Sequence, residues 1–235
     1  MEVQTWSANS LLATLPPPAR VELLRLGTRR EFLPGQILVR EGELSTHVIL
    51  LVRGCVKVTA TAPTGGLALL AIRVGGEIVG ELAGLDGQPR SATVTAAGLV
   101  RARIMQQGTF HDFLTRHPQA AVAVSRTVGA KLRWATRRRV DFSGYEVPVR
   151  VARVLAELAD SHGERTSAGV ELQVPLTQPE LAALVGAAEP TVHKALAGLR
   201  RAQVIKTGYR HMTIRDLTRL RAAADPDGEA SPIPS

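Results

Sequence analysis

Short apolar runs separated by glycine-containing turns fill the sequence between Arg30 and Met105. The runs "HVILLVRGCVKVTA", "LALLAIRV", "SATVTA" and "LVRARIM" are rich in β-branched residues. Turns are predicted at Pro34-Gly35, Gly42, Gly54, Gly65-Gly66 and Gly75-Gly76. Many short strands at regular spacing are typical of an antiparallel β-barrel or jelly roll, and we expect that fold within residues 1–117.

Helical patterns surround this β-rich region. Two short helices are predicted in "SANSLLATL" and "PPPARVELLRL", and a third in "QQGTFHDFLTRHP". A longer helix is predicted from Pro118 to about Arg139, in a segment 118–141 that joins two domains. One of its faces carries Val124, Val128, Leu132 and Ala135. This narrow seam favours a dimer helix packed on its symmetry mate; the alternative is packing on the chain's own barrel.

A second domain is expected over residues 142–223, after a hinge that contains Gly144 and Pro148. It begins with an amphipathic helix over Val149–Ala159 and the strand-like run "ELQVPLT". Two helical segments, two short strands around Gly208 and a last helix, "RDLTRLRAAA", follow. The whole chain is therefore assigned to the α+β class. Residues 224–235 are polar and rich in proline, and we predict that this tail is disordered.

The two helical segments of the second domain, "QPELAALVG" and "EPTVHKALAGLRRA", form a candidate helix-turn-helix. Thr177 is a natural N-cap for the first helix, and Gly186 permits a tight turn before the second. The second helix would enter a DNA major groove, and the strands after it would form a wing. The candidate DNA-binding residues are Thr177, Gln178, Glu189, Thr191, His193, Lys194, Arg200, Lys206 and Arg210. The alternative is a generic helical hairpin.

Charge is distributed unevenly along the chain. The formal net charge is +8, and residues 113–223 carry 18 basic and 9 acidic side chains. Such an excess favours an anionic partner, nucleic acid first, although many proteins have a basic solvated surface. The single cysteine, Cys55, excludes an internal disulfide and a four-cysteine iron–sulfur cluster within one chain. Without a secretory signal or an apolar membrane span, a cytoplasmic protein is expected.

The stretch "GELAGLDGQPRSATV", from Gly80 to Val94, places one carboxylate and one guanidinium on either side of a small-residue loop. Gly80 would let the backbone approach a ligand, and Glu81 could accept hydrogen bonds from a sugar hydroxyl. Arg90 and Ser91 suit phosphate oxygens. The stretch therefore predicts a pocket for a ligand with a phosphate and a hydroxyl. An Arg–Glu pair that merely pins a loop is the alternative.

Gly80-Glu81-Leu82 and Pro89-Arg90-Ser91-Ala92-Thr93-Val94 resemble the phosphate-binding cassette of cyclic-nucleotide-binding domains. The order of barrel, long helix and winged helix-turn-helix, from about Leu12 to Ala223, resembles the Crp–Fnr family of bacterial transcription regulators. The resemblance implies an allosteric homodimer that binds a cyclic nucleotide, usually cAMP, and promoter DNA, with RNA polymerase as a further partner. It assigns the ribose 2′-hydroxyl to Glu81 and the cyclic phosphate to Arg90 and Ser91. The candidate ligand-binding residues are Gly80, Glu81, Leu82, Arg90, Ser91, Ala92 and Thr136.

The sequence departs from the family at two places. The Thr-Ser pair that contacts adenine in cAMP-responsive members appears as Ala135-Thr136, which lacks the first hydroxyl. The Ser-Arg-Glu-Thr-Val start of many recognition helices is replaced by "AEPTV", at positions 188–192, although Lys194 matches the family's basic residue. The resemblance therefore does not fix the nucleotide, and the family's usual operator does not transfer.

Three other functions stay open from the sequence. The first is a Crp–Fnr-like regulator with a different effector or none, and the second is a nucleotide-binding regulatory subunit that does not bind DNA. The third, a cupin-type metalloenzyme, would need clustered histidines, whereas the six here are scattered. They are His47, His111, His117, His162, His193 and His211. No nucleophile–base pairing is evident, so we expect no enzymatic activity.

Overall fold

The computed structural model describes residues 6–61, 65–172, 174–208 and 211–226. The chain forms two compact units, Met1–Trp134 and Ala135–Ser235. Arg210 and most of the tail that we predict to be disordered lie outside the described residues. Within the described ranges, no helix is both long enough and apolar enough to cross a membrane.

The first unit contains two four-stranded antiparallel sheets, ordered β1-β8-β3-β6 and β2-β7-β4-β5. The strands are β1 (Thr28–Phe32), β2 (Ile37–Val39), β3 (Val48–Arg53), β4 (Cys55–Thr61), β5 (Leu67–Val74), β6 (Ile78–Val79), β7 (Thr93–Ala96) and β8 (Val100–Met105). The predicted antiparallel β-rich domain is therefore confirmed. Its helices are α1 (Leu11–Thr14), α2 (Pro17–Leu23), α3 (Glu81–Asp86), α4 (Gln107–Arg116) and the first part of α5 (Pro118–Gly144).

Strand β3 is buried on both faces, which explains its continuous apolar sequence. Side chains alternate between the two faces of a strand. Val48 and Leu50 therefore belong to a core shared with the helices, which includes Phe110 and Phe113 of α4. Ile49 and Leu51 belong to a second core, between the two sheets. The β1-β8-β3-β6 sheet therefore packs against helices on one face and against the second sheet on the other.

The second unit packs helices against one four-stranded antiparallel sheet, ordered β11-β12-β10-β9. Its elements after α5 are α6 (Val147–His162), β9 (Gly163–Thr166), β10 (Gly169–Leu172), α7 (Gln178–Val185), α8 (Glu189–Arg201), β11 (Ile205–Gly208), β12 (His211–Ile214) and α9 (Leu217–Ala224). The two helices and the paired strands of the predicted winged helix-turn-helix are all present. The sequence does not predict strand β9, because its residues are exposed and polar.

Helix α5 is longer than the sequence predicts. The pattern places its end near Arg139, within a segment closing at residue 141, but the helix continues to Gly144. Asp141 is buried, and its Oδ1 lies 3.1 Å from Nε of Arg153 in α6. Nη2 of Arg138 likewise lies 2.8 Å from Oε2 of Glu157 in α6. These two ion pairs hold the last turns of α5 on α6, so the expected hinge is reduced to the two residues between the helices.

Local interactions set the turn between α7 and α8. The Thr177 hydroxyl accepts from the Glu180 N–H, and the Glu180 carboxylate accepts from the Thr177 N–H, which completes a capping box for α7. Gly186 ends α7 with φ +69°. A Cβ there would lie 2.8 Å from the ring of Phe142, so this position requires glycine for both its backbone angle and its space.

We predict that Gly186→Ala lowers the free energy of unfolding by about 1–2 kcal/mol, because alanine is strained in the left-handed region. Gly198→Ala is the matched control, since a Cβ at this position in α8 meets no atom within 4 Å. It should raise the stability by about 0.5–1 kcal/mol, as expected for glycine replaced within a helix. Urea unfolding of the full chain, followed by circular dichroism, measures both changes. Equal stability of the two variants would contradict this account of the turn.

Candidate functional site

A cavity of about 140 Å³ lies in the first unit, beside α3 and the residues that follow it. Six of the seven candidate ligand-binding residues line it, namely Gly80, Glu81, Leu82, Arg90, Ser91 and Ala92. The walls between them are apolar and include Val39, Val58 and Ala71. Two residues that the sequence does not single out, Arg73 and Lys131, also line the cavity. The seventh candidate, Thr136, belongs to the second unit, and its role stays a prediction.

Arg90 is a buried cation held by neutral oxygens, with 4% of its surface exposed. Its Nε donates to Ser45 Oγ at 3.1 Å, Nη1 to the Gly80 carbonyl at 2.7 Å and Nη2 to the His47 carbonyl at 2.6 Å. Within the described part of the chain, no carboxylate oxygen lies within 4.0 Å of this guanidinium. Burial lowers the pKa of Arg90, and the charges of Glu43 and Glu81 offset only part of that effect.

Gly80 shapes this arrangement from the start of α3. Its φ of +73° places it in the left-handed region, and a Cβ at this position would lie 2.4 Å from Nη1 of Arg90. Any other residue would therefore displace the guanidinium from the Gly80 carbonyl. The cassette motif thus needs glycine here because the arginine packs directly against its backbone.

Glu81 pairs with a lysine rather than with Arg90. Lys131 Nζ donates to Glu81 Oε1 at 2.9 Å and to the Ile78 carbonyl at 2.8 Å. The Glu81 and Lys131 side chains are only 5% and 21% exposed. Burial lowers the pKa of Lys131, while the Glu81 carboxylate opposes this shift. The alternative of a simple Arg–Glu pair that pins the loop is therefore not what the structure contains.

The local sequence does not reveal Lys131 as a partner of Glu81, because it lies 50 residues away on the long helix. The available signal is its position one helical turn before Ala135, on the helix for which the resemblance implies a contact with the ligand base. Its contact means that α5 provides part of the cavity wall. The long helix is therefore connected directly to the charged groups of the cavity through the Lys131–Glu81 contact.

Helix α3 is also fixed from α4. Gln107 Nε2 donates to the Gly84 carbonyl at 3.1 Å, and His111 Nε2 lies 2.8 Å from the same oxygen. A carbonyl only accepts hydrogen bonds, so the His111 contact requires a hydrogen on Nε2. Two donors on one carbonyl therefore fix α3, the helix whose residues Glu81, Leu82 and Ala83 line the cavity.

The candidate DNA-binding surface lies on α8 and the wing. Val192 and Leu196 are buried, whereas Glu189, Thr191, His193 and Lys194 are exposed. Gln178 at the start of α7 and Lys206 on β11 are exposed as well. Arg200 is half-buried, and its Nη1 donates to Thr207 Oγ1 at 3.1 Å, which ties α8 to the wing. Thr177 serves the capping box of α7.

Arg150 of α6 holds the turn that precedes α8. Its guanidinium stacks on the Phe142 ring, with 4.9 Å to the ring centroid, and Nη1 donates to the Gly186 carbonyl at 3.3 Å. Arg150 is 9% exposed. The end of α5 and the turn of the helix-turn-helix therefore share one arginine.

Among the described residues, no group of three or more histidine, cysteine, aspartate or glutamate side chains could hold a metal ion. His111, which packs beside α3, contacts a backbone carbonyl instead.

We predict that Lys131→Met lowers the free energy of unfolding by about 1–3 kcal/mol, because the buried Glu81 carboxylate then loses its charged partner. The double variant Glu81→Gln/Lys131→Met removes both charges and should recover most of this loss. Urea unfolding of the wild type, Glu81→Gln, Lys131→Met and the double variant gives the coupling free energy between Glu81 and Lys131. If the losses of the two single variants add up in the double variant, the Glu81–Lys131 pair contributes nothing to the free energy of unfolding.

Comparisons with known proteins agree with this architecture. The cyclic nucleotide-binding domain matches residues 29–117, and the Crp-like helix-turn-helix domain matches residues 149–223. The CRP-like cAMP-activated global transcriptional regulator of Mycobacterium tuberculosis (strain CDC 1551 / Oshkosh) is 31% identical over 194 residues, covering 83% of this chain and 87% of the relative.

Two solved structures extend the comparison. A CRP-family transcriptional regulator from Thermus thermophilus superposes with a TM-score of 0.67 at 25% identity, over 83% of this chain and 96% of its own. The c-di-GMP responsive global regulator CLP of Xanthomonas campestris has a TM-score of 0.71 at 16% identity, over 85% and 99%, and so shares the fold. From its two domains and its relatives, the chain belongs to the Crp–Fnr family of transcription regulators.

Proposed function

We propose that this regulator works as a homodimer that binds a cyclic nucleotide in the first unit and promoter DNA through α8. The observation that carries the ligand proposal is the Arg90 guanidinium, which is buried at the cavity without a carboxylate partner among the described residues. Its three hydrogen bonds orient this buried charge without neutralising it, and an anionic ligand supplies the opposite charge.

The proposed contacts follow the chemistry of the cavity. Three guanidinium nitrogens of Arg90 donate to protein oxygens, which leaves one further N–H on each terminal nitrogen for a phosphate. Ser91 adds a hydroxyl beside it. Glu81 accepts from a ribose hydroxyl while it keeps or exchanges its contact with Lys131. The adjacent wall consists of Gly80, Leu82 and Ala92.

cAMP is the first candidate effector. The M. tuberculosis relative is named as cAMP-activated, whereas the Xanthomonas regulator is named as c-di-GMP responsive. Ala135 lacks the hydroxyl that a cAMP-responsive member would use, and Thr136 is the remaining candidate for a base contact. A different effector is therefore the second candidate within the same cavity.

The proposed link from ligand to DNA begins at Lys131. A ligand hydroxyl that binds Glu81 competes with the Lys131 ammonium for the same carboxylate. Lys131 is part of α5, so this competition acts on the helix that continues into the DNA-binding unit. We further propose a cytoplasmic location, RNA polymerase as a partner and no enzymatic activity, as for a regulator of bacterial promoters.

The homodimer proposal rests on α5. Val124 is buried within its own unit, but Leu132 in the same seam is 67% exposed. Val128 is half-buried and Ala135 is exposed. An apolar stripe that one chain leaves open along a long helix suits packing against a second copy of that helix.

The ligand proposal predicts that Arg90→Ala weakens cyclic-nucleotide binding by more than about tenfold, since losing a charged partner in a desolvated site costs roughly 2–5 kcal/mol. Calorimetric titration of the full chain with cAMP and cGMP measures the effect. The control is Arg101→Ala, which removes a half-buried arginine that pairs with Glu31 and does not line the cavity. Unchanged affinity in Arg90→Ala, with the native circular dichroism spectrum, would sink the site assignment.

The dimer proposal predicts that Val128→Asp/Leu132→Asp gives monomers, because two carboxylates would be buried in an apolar interface. Sedimentation velocity separates monomer from dimer. Val122→Asp is the matched control, since Val122 is 50% exposed on the same helix but outside the seam. A monomeric wild-type chain would refute the dimer helix.

For DNA, we expect palindromic sites with half-sites about one helical turn apart, because a two-fold dimer presents both α8 helices to one face of the duplex. Lys194→Ala should lose roughly 1–3 kcal/mol of DNA-binding free energy and relax the base preference at one position in each half-site, as expected for a base contact. Lys206→Ala, on the wing, should weaken binding to all DNA sequences alike. It should also lower by about one the slope of the logarithm of the binding constant against the logarithm of the salt concentration.

Selection of bound sequences from a random pool, followed by salt titrations, measures both variants. Uniform weakening of DNA binding in Lys194→Ala would instead assign this lysine to a phosphate contact.

Glu189 at the start of α8 either accepts from a cytosine amino group or stabilises the helix N-terminus, and the same selection with Glu189→Ala separates these roles. Failure to recover a palindromic site, with or without nucleotide, would count against sequence-specific binding.

A further inference from the structure

The cavity of the first unit carries more positive charge than a cyclic mononucleotide needs. Among the residues that the structure describes, three cations line it, Arg73, Arg90 and Lys131, against one carboxylate, that of Glu81. Lys131 Nζ lies 2.9 Å from Glu81 Oε1, so this pair is neutral overall. The charges of the two arginines remain. A cyclic mononucleotide brings one negative charge and therefore matches only one of them.

Arg73 occupies an inward position on β5. Ala71 and Arg73 are two residues apart on this strand, so their side chains point to the same face. Val58, the β4 partner of Ala71 in the register, lines the cavity together with both of them. Inner-face positions of packed sheets are normally apolar, and a guanidinium there needs an anion or water to solvate it.

Arg73, like Arg90, has only a neutral partner. Its Nη1 donates to the Ile72 carbonyl at 3.2 Å, and in the described ranges no carboxylate oxygen lies within 4.0 Å of its guanidinium. Glu77, the nearest acidic residue along the chain, uses Oε2 to accept from the Val74 N–H at 2.9 Å. The charge of Arg73 also acts on Lys131, adding to the lowering of the Lys131 pKa that burial causes. The charge of Glu77 acts on the Lys131 pKa in the opposite direction.

We propose that Arg73 forms a second anion subsite in this cavity, so that the ligand is a nucleotide with two phosphate groups, one bound at Arg90 and one at Arg73. The proposal rests on the proposed nucleotide-binding function. Two sources share this chemistry, a cyclic dinucleotide and a nucleoside bisphosphate. With a phosphate at Arg90 and another at Arg73, each of the two arginine charges in the cavity gains an anionic partner.

Calorimetric titration of the full chain with three probes tests the proposal. The probes are cAMP, with one phosphate, and c-di-GMP and adenosine 3′,5′-bisphosphate, each with two. We expect at least one of the two-phosphate probes to bind about tenfold more tightly than cAMP, because a second charged hydrogen bond is formed. Whichever of them binds more tightly identifies the source.

Arg73→Leu removes the charge and keeps an apolar side chain on the inner face. This variant should lower the affinity for the two-phosphate probe by about tenfold and leave the affinity for cAMP within about twofold of the wild-type value. Arg29→Leu is the control for net charge, since Arg29 is exposed on β1 and does not line the cavity. It should leave the affinities for all three probes unchanged.

The outcomes separate this proposal from the proposed function. If cAMP binds through Arg90 at least as tightly as both two-phosphate probes, or if Arg73→Leu weakens no probe or all three equally, the second subsite is refuted and nucleotide binding stands. If none of the probes binds the wild-type chain, nucleotide binding and the second subsite fail together.

Discussion

The burial of one guanidinium among neutral oxygens is the constraint on which the ligand cavity depends. Arg90 is fixed by Ser45, His47 and Gly80, which come from two separate parts of the chain, and none of them cancels its charge. Carbonyl and hydroxyl oxygens orient a cation but do not neutralise it. The fold therefore keeps a preorganised positive charge beside an apolar wall, where an anion is held more strongly than in water.

The second constraint is the contact between Lys131 and Glu81. It neutralises the Glu81 carboxylate and brings α5 into the cavity wall. In the proposed function, a ligand hydroxyl that binds Glu81 competes with Lys131, and this competition would couple ligand binding to α5 through one ion pair. Because both side chains are largely buried, removing one of them leaves an uncompensated charge, so breaking this pair costs more than breaking a surface salt bridge.

In the second unit, arginines of α6 hold the elements that present α8. Arg153 pairs with Asp141 of α5, and Arg150 reaches both the Phe142 ring and the Gly186 carbonyl. A planar guanidinium can stack and donate at the same time, which lysine cannot do. The turn of the helix-turn-helix is therefore fixed to the end of the long helix by side chains as well as by the chain itself.

The sequence by itself determined the parts that depend on short-range patterns: antiparallel strands between glycine turns, the two helices around Gly186, and the stretch from Gly80 to Val94 whose charged residues line one cavity. These follow from periodicity, backbone angles and residues close together in the chain. Only the tertiary structure decided that Lys131 neutralises Glu81, that Arg73 lines the same cavity, and that α5 extends beyond its predicted end. Those features depend on contacts between residues far apart in the sequence, which no local pattern encodes.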